Sequence, residues 1–441
     1  MDDTLARFKA TGALDSDYAR PLIVRSDTLI DTNDNDAAVS AAREALATAR
    51  RVKGPEHRMT LWAMTSLGQA LDMAEMVDES LAVTGEALRV TRRVAGGNER
   101  DPLVIDARMA YAKALGGTGR YDLASDAIES AIRDAAVLHG ERSVEVGIYH
   151  QNAAVSQLKA GRIRAGIESA AQAIEIRGGA VAEGSTESLF TRNVYARGLL
   201  LGRRGREALP ILAGMLEGIV ALFGPSDVRT LEVRSSYALA LASTGALIEA
   251  ASAADAVVAD AQREKVISTH RPWYVRGMIF RLQGNAREAV AYQSLALRNL
   301  PGQASLPDRA EVLAELGTAQ ALSGDRVSGE RNLLKSIEVL DTARHAATPV
   351  RADAHAWLAR LRLEQGRAQD ALPFAEQADE FWRGFDAENP AAGEAALWLG
   401  RARLALGQRQ EADASLRRAR NLLARSPLPG DAALLAQAAP R

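Results

Sequence analysis

Cysteine is absent from the 441-residue chain, which excludes disulfides, thiolate catalysis and thiolate metal sites. No uninterrupted apolar run reaches the roughly 18 residues needed to span a bilayer as a helix. The opening residues, MDDTLARFKA, are acidic and lack the apolar stretch of a secretory signal, so a soluble, cytoplasmic protein is expected. An excess of either charge is missing too. The 54 basic and 56 acidic residues leave a net charge of −2, which gives no general attraction to nucleic acid or to an anionic membrane. Only 6 of the basic residues are lysine, an arginine bias that reads as genome composition.

Motifs that carry chemistry are also missing. The chain contains no phosphate-cradling GxxxxGK[ST], no HExxH and no GxSxG. Its histidines, His57, His139, His150, His270, His345 and His355, include no pair at i, i+4 and read as surface or loop residues. Paired carboxylates read as solvated helix faces. The turn from Asp31 to Ala38, DTNDNDAA, has a calcium-loop look, but Asp36 stands where glycine is needed and Ala42 where a bidentate glutamate is needed. An Asx-rich turn capping the following helix is the better reading. Neither catalysis nor a cofactor or metal is expected from these residues.

What is present is a repeat. The stretch Tyr111 to Ile132, YAKALGGTGRYDLASDAIESAI, reads as two amphipathic helices folded back around Gly119. Sliding that frame along the chain places equivalent turns at Asn33, Glu75, Gly119, Gly161, Arg203, Gly245, Gly284, Gly324, Gly366 and Gly407, in steps of 42, 44, 42, 42, 42, 39, 40, 42 and 41 residues. Five residues past each turn stand Ala38, Ser80, Ala124, Gly166, Ala208, Ala250, Ala289, Gly329, Ala371 and Ala412, all small. Twelve past stand Ala45, Ala87, Ala131, Ala173, Met215, Val257, Ala296, Ser336, Ala378 and Ala419. Small side chains at fixed points let two helices approach closely, and a turn glycine takes a left-handed conformation without a Cβ penalty. A period of this length predicts an all-α solenoid of about ten stacked antiparallel helix pairs with a continuous core.

The boundaries follow from the frame. Residues 17–425 hold the ten pairs, and the few prolines, among them Pro55, Pro102, Pro225, Pro307, Pro349 and Pro390, fall near their ends. A second glycine 21 residues past the turn, as at Gly54, Gly96, Gly140 and Gly224, marks the end of the second helix. The same offset from a missing earlier turn lands on Gly12, so residues 1–16 read as the tail of a preceding, truncated repeat, or else as a degenerate cap. Pairs seven and eight are short, which requires a trimmed loop or helix end. After Arg425, the tail SPLPGDAALLAQAAPR, residues 426–441, reads as a short capping helix or a disordered end.

The pairs Leu67-Gly68, Leu316-Gly317 and Leu399-Gly400 at −8 and −7, leucines such as Leu71, Leu115 and Leu241 at −4, and the small residues at +5 and +12 together resemble the tetratricopeptide repeat over nearly the whole chain. The long period and loops such as VKGPEHRMTL and LFGPSDVRTL are similar to its kinesin-light-chain subtype. The resemblance implies a right-handed superhelix whose concave wall, built mainly of first helices, binds a peptide or protein. Function is therefore expected to be a non-catalytic interaction scaffold. A second possibility is the C-terminal regulatory region of a larger bacterial signalling protein, with a Ser/Thr kinase or a DNA-binding regulator domain upstream.

The resemblance places groove-facing side chains at −13, −10, −9 and −6. The −6 position reads Asp27, Gln69, Lys113, Val155, Arg197, Leu239, Met278, Thr318, Arg360 and Arg401, and the −10 and −9 positions add Thr65, Gln151, Asn152, Asn193, Tyr274, Trp357 and Trp398. From these, Gln69, Lys113, Gln151, Asn152, Asn193, Arg197, Tyr274, Trp357, Arg360, Trp398 and Arg401 are the candidate partner-binding residues. The lysine and asparagines with which chaperone co-factors clamp a terminal carboxylate are not reproduced. Six of the chain's twenty aromatics, Trp357, Phe374, Phe381, Trp382, Phe385 and Trp398, crowd into 42 residues. They read as the filling of the junction between the ninth and tenth pairs or, with Arg360 and Arg401, as an anchoring patch for a partner.

Overall fold

A computed structural model describes residues 18–31, 34–178, 182, 184–266, 269–300, 306–342 and 348–439. The readings of residues 1–16, the Asn33 turn and His345 lie outside them. Among the described residues there are 22 α-helices and no strand. They are α1 (Ala19–Asp31), α2 (Asn35–Lys53), α3 (Arg58–Met73), α4 (Val77–Val94), α5 (Pro102–Gly117), α6 (Tyr121–His139), α7 (Val144–Lys159), α8 (Ile163–Arg177), α9 (Thr186–Leu201), α10 (Gly205–Ala213) and α11 (Leu216–Phe223). They continue as α12 (Val228–Ser243), α13 (Leu247–Arg263), α14 (Arg271–Leu282), α15 (Ala286–Arg298), α16 (Leu306–Ser323), α17 (Arg326–Thr342), α18 (Pro349–Glu364), α19 (Ala368–Phe385), α20 (Ala392–Ala405), α21 (Arg409–Leu423) and α22 (Pro429–Gln437).

The turns explain why these helices come in pairs. Glu75, Gly119, Gly161, Arg203, Gly245, Gly284, Gly324, Gly366 and Gly407 all have φ between 60° and 99°. After the left-handed residue, the next N–H reaches back to close the first helix: Arg120 donates to the Leu115 carbonyl at 2.9 Å, and Arg367 to that of Arg362 at 2.9 Å. That bond is the Schellman closure. Arg120 and Arg367 are also the N-caps of α6 and α19, so one residue ends one helix and begins the next. Seven second helices accordingly start without a side-chain cap. First helices enter from longer connections and most carry one, α14 and α20 being exceptions. Asp101, Ser143, Ser185, Asp227 and Thr348 each accept a backbone N–H at the start of α5, α7, α9, α12 and α18, worth about 1 kcal/mol apiece. Asp34 and Asp325 cap the second helices α2 and α17 in the same way.

Every small residue at +5 and +12 is buried, Ala124, Ala208 and Ala371 completely. The closest crossing is between α16 and α17. A Cβ added to Gly317 would lie 2.8 Å from the Gly329 carbonyl oxygen, and one added to Gly329 would lie 2.8 Å from that of Gly317. Gly54, Gly140 and Gly224 cap the ends of α2, α6 and α11, and Gly96 follows the last cap residue of α4. The seventh pair is trimmed in its helices, since α14 and α15 have 12 and 13 residues. The second helix of the fifth pair is split after Ala213, where α10 gives way to α11. Pro210 inside α10 brings no N–H to the ladder.

The chain divides into two compact units, one comprising residues 1–160 and 168–180, the other 161–167 and 181–441. In unit 1, α1, α3, α5 and α7 pack successively on one another; in unit 2, α9, α12, α14, α16, α18 and α20 do so. Second helices make no comparable contact with each other among the described residues. First helices therefore form the tighter inner layer of each unit, as in a solenoid of helix pairs.

His355 departs from the expected surface or loop position, while His270 lies in the link before α14 but is buried there. His270 and His355 are buried, 6% and 5% exposed, the latter within α18 against Phe374. Burial, reinforced by neighbouring arginine charge, pushes both down to about 4. A neutral imidazole can sit in a core where a charged one cannot.

Candidate functional site

Each unit encloses a hollow on its first-helix wall. In unit 1 a cavity of about 250 Å³ lies among α1, α3, α5 and α7, lined by Asp27, Trp62, Gln69, Asp106, Lys113 and Asn152 among others. Two of its carboxylates are engaged: Ser66 donates to Asp27 at 3.2 Å and the Tyr149 hydroxyl to Asp106 at 2.8 Å. Lys113, Gln69 and Asn152 come from three successive pairs, and among the described residues none of them is hydrogen-bonded or ion-paired. Burial lowers the Lys113 ammonium below its usual range, against the pull of the Asp72 carboxylate. Burial likewise raises Asp72 and Asp106.

In unit 2 a cavity of about 700 Å³ is walled by all six first helices. Its lining is apolar at Leu239, Met278 and Trp357 and also carries largely buried charge. Arg203 pairs with Asp353 at 2.5 Å, Arg281 with Glu315 at 2.8 Å, and Arg271 with Glu311 at 3.5 Å. Tyr274 is fully buried, and burial raises its hydroxyl well above its ordinary value. Glu394 accepts the Trp398 indole N–H at 3.1 Å, and burial raises its carboxyl. Arg360 stacks on Trp357 and Trp398 at 4.6 and 5.4 Å from the ring centroids.

The structure thus gathers Gln69, Lys113 and Asn152 in the first cavity and Tyr274, Trp357 and Arg360 in the second. The other candidates lie elsewhere. Gln151 accepts from Arg177 at 2.5 Å and Arg197 pairs with Asp308 at 3.6 Å. Asn193 lines neither cavity. Trp398 is 3% exposed in the same core cluster as Trp382, and Arg401 donates to the Gln437 carbonyl at 3.5 Å. The aromatic crowd does fill a junction, with Phe381, Trp382 and Phe385 in mutual ring contact. At the same time its Trp357 edge opens to the cavity.

The most informative offset is −13, whose residues were not read from the sequence. It supplies Trp62, Asp106 and Ile148 to the first cavity and Glu311, Asp353 and Glu394 to the second. Arg203 had a visible sign as well, an arginine at a turn where glycine is the rule.

The chain is similar to solved structures. The apo form of RapI has a TM-score of 0.55 at 10% identity, covering 83% of this chain and 98% of its own. The fold is tetratricopeptide-like. A Rap protein complexed with Competence and Sporulation Factor gives 0.48 at 13% identity, with 96% of this chain and 100% of that one covered. The TPR-like repeats of a kinesin light chain from Podosopora anserina give 0.38 at 14% identity, with 47% and 97% covered. No family model matches the chain, and no curated protein does. Among the described residues of this tetratricopeptide-like chain, no group of three or more His, Cys, Asp or Glu is placed to hold a metal ion. No described helix is long and apolar enough to cross a membrane.

Proposed function

We propose that the chain is a non-catalytic scaffold that holds a peptide or protein segment against its first-helix walls. One observation carries this. Seven of the ten −6 side chains line the cavities: Asp27, Gln69 and Lys113 in unit 1, Leu239, Met278, Thr318 and Arg360 in unit 2. A hollow with apolar lining and a few convergent polar groups is the usual form of a binding site. In unit 1 the unpaired Lys113, Gln69 and Asn152 offer donors to a carboxylate or backbone carbonyl. In unit 2 the apolar lining takes apolar side chains while Arg360 and Glu394 face the polar ends.

The test is selection from a random peptide library on the immobilised full chain, followed by affinity measurement with Lys113→Gln, Arg360→Glu and Glu394→Gln. Selected peptides should lose at least about tenfold in affinity, roughly 1.4 kcal/mol, with the variants of one cavity. Peptides that bind all three variants as tightly as the parent would show that the walls are not the binding surface.

A further inference from the structure

The hollow of unit 2 already has an occupant. After α21 the chain runs back over the first helices, and Ser426, Pro427, Leu428, Asp431, Leu434 and Gln437 line the same cavity as Tyr274, Trp357 and Arg360. Its start abuts the turn between α12 and α13, where the Pro427 carbonyl oxygen lies 2.7 Å from the position a Cβ on Gly245 would take. Only a bare glycine admits that approach. Arginines of the last pair hold the other end: Arg420 of α21 donates to the Ala438 carbonyl at 2.6 Å and Arg401 of α20 to that of Gln437.

The seat is thinly anchored. Of α22 and its cap residue only Leu434 and Ala438 are buried, both at the edge of the core of the last two pairs with Leu435 beside them, whereas α21 buries Ala412, Ser415, Leu416, Ala419, Leu422 and Leu423. The strap also brings the Asp431 carboxylate toward Glu394, a like charge, with Arg281 as the compensating cation. A segment that fits the wall in shape but adds two small contacts to the core, against six buried side chains from α21, can be exchanged at low cost.

We propose that Pro427–Gln437 is a resident ligand of the unit 2 groove, and that the partner is a peptide of the same kind, a proline-led turn followed by a short helix with paired leucines and a carboxylate, which displaces it. This rests on unit 2 being a peptide groove and names the partner class for it. The segment Leu428-Pro429-Gly430-Asp431 supplies the turn and the carboxylate, and Leu434 with Leu435 the apolar pair. While the strap is seated, a partner sees only the open fraction of molecules, and its apparent affinity falls by that fraction.

The probe is a fluorescein-labelled synthetic peptide with the sequence of Ser426–Ala439, titrated into the full-length chain and into full-length Leu434→Asp. The variant should bind it at least about tenfold more tightly than the parent, as expected when the strap occupies nine-tenths of molecules or more. Equal affinity in a variant with unchanged circular dichroism overturns the proposal. Should Leu434→Asp fail to fold, hydrogen exchange on the parent decides. Saturating probe should speed exchange at residues 429–437, and unchanged exchange there overturns the proposal. If library-selected peptides bind parent and variant equally, the strap idea falls and the groove stands; if no peptide binds either, the groove reading falls with it.

Discussion

Arg203 and Asp353, 150 residues apart, form an ion pair at 2.5 Å across the hollow of unit 2. Among the described residues Arg203 is one of two non-glycine residues at a helix-pair turn, with φ 60°, and Glu75, with φ 62°, is the other. A left-handed conformation costs a side chain on the order of 1–2 kcal/mol, and at Arg203 a cross-groove bond offsets that cost. The two sites should therefore respond oppositely to glycine. Glu75→Gly should raise stability by about 0.5–1 kcal/mol, whereas Arg203→Gly should lower it, because it leaves Asp353 without its partner. Urea unfolding of both variants checks this, and a stabilised Arg203→Gly would show that the pair contributes nothing net.

Gly317→Ala tests the closest helix crossing. Alanine normally favours a helix over glycine by about 1 kcal/mol, but here its methyl would meet the Gly329 carbonyl oxygen at 2.8 Å. The expected net effect is a loss of about 1–3 kcal/mol, read from the denaturant midpoint. Gly384→Ala, with nothing within 4 Å of the added carbon, should gain stability by the same measure.

Trp398→Ala should cost about 3–5 kcal/mol, since the ring is packed with Trp382, Leu399 and Leu416 and its N–H satisfies Glu394. Trp357, which faces the cavity, should cost less in stability and more in peptide binding. Melting curves and peptide titrations on the two variants separate these roles.

Acid should weaken unit 2 through His355 and His270. Their folded values near 4 lie below the ordinary value of about 6.5. Between those limits the unfolded chain binds more protons, so stability is fully present above about pH 6.5 and falls as pH drops toward 4. Each group contributes on the order of 1–3 kcal/mol. In His355→Leu the slope of stability against pH in this window should flatten relative to the parent, measured by urea unfolding at pH 7, 5.5 and 4.5.

Lys113 should be the most reactive amine of the six. Its depressed ionisation leaves more free base near neutral pH than an ordinary lysine, and its cavity is open to small reagents. Brief treatment with limiting acetic anhydride at pH 7.5, followed by peptide mass spectrometry, should show Lys113 acetylated ahead of Lys53 and Lys335. Equal labelling would contradict this.

The repeat was readable because its demands are local and steric. A left-handed turn selects glycine, as at Gly119 and Gly366, and a close crossing selects alanine, as at Ala124 and Ala371; each leaves one mark per pair. Half of the wall was readable by the same frame, since Lys113 and Arg360 follow from counting back six. The contacts that close unit 2 were not. Arg203 meets Asp353, Asn389 donates to the Gly202 carbonyl at 3.3 Å, and Pro427 abuts Gly245 only because small rotations between successive pairs accumulate until distant pairs face each other. No single repeat encodes that sum. The buried histidines were hidden for another reason: a neutral imidazole has no preferred period, and His355 sits between alanines that look the same on either face.

Because one residue both closes a first helix and opens its partner, the two helices of a pair share a joint with no slack. An extra residue inserted at Gly119 or Gly366 would swing the whole following helix out of register, while the longer link between one pair and the next could absorb the same insertion. Changes in chain length should therefore accumulate at every second connection, which leaves those links, and not the inner wall, as the places where such a protein can be spliced, tagged or extended.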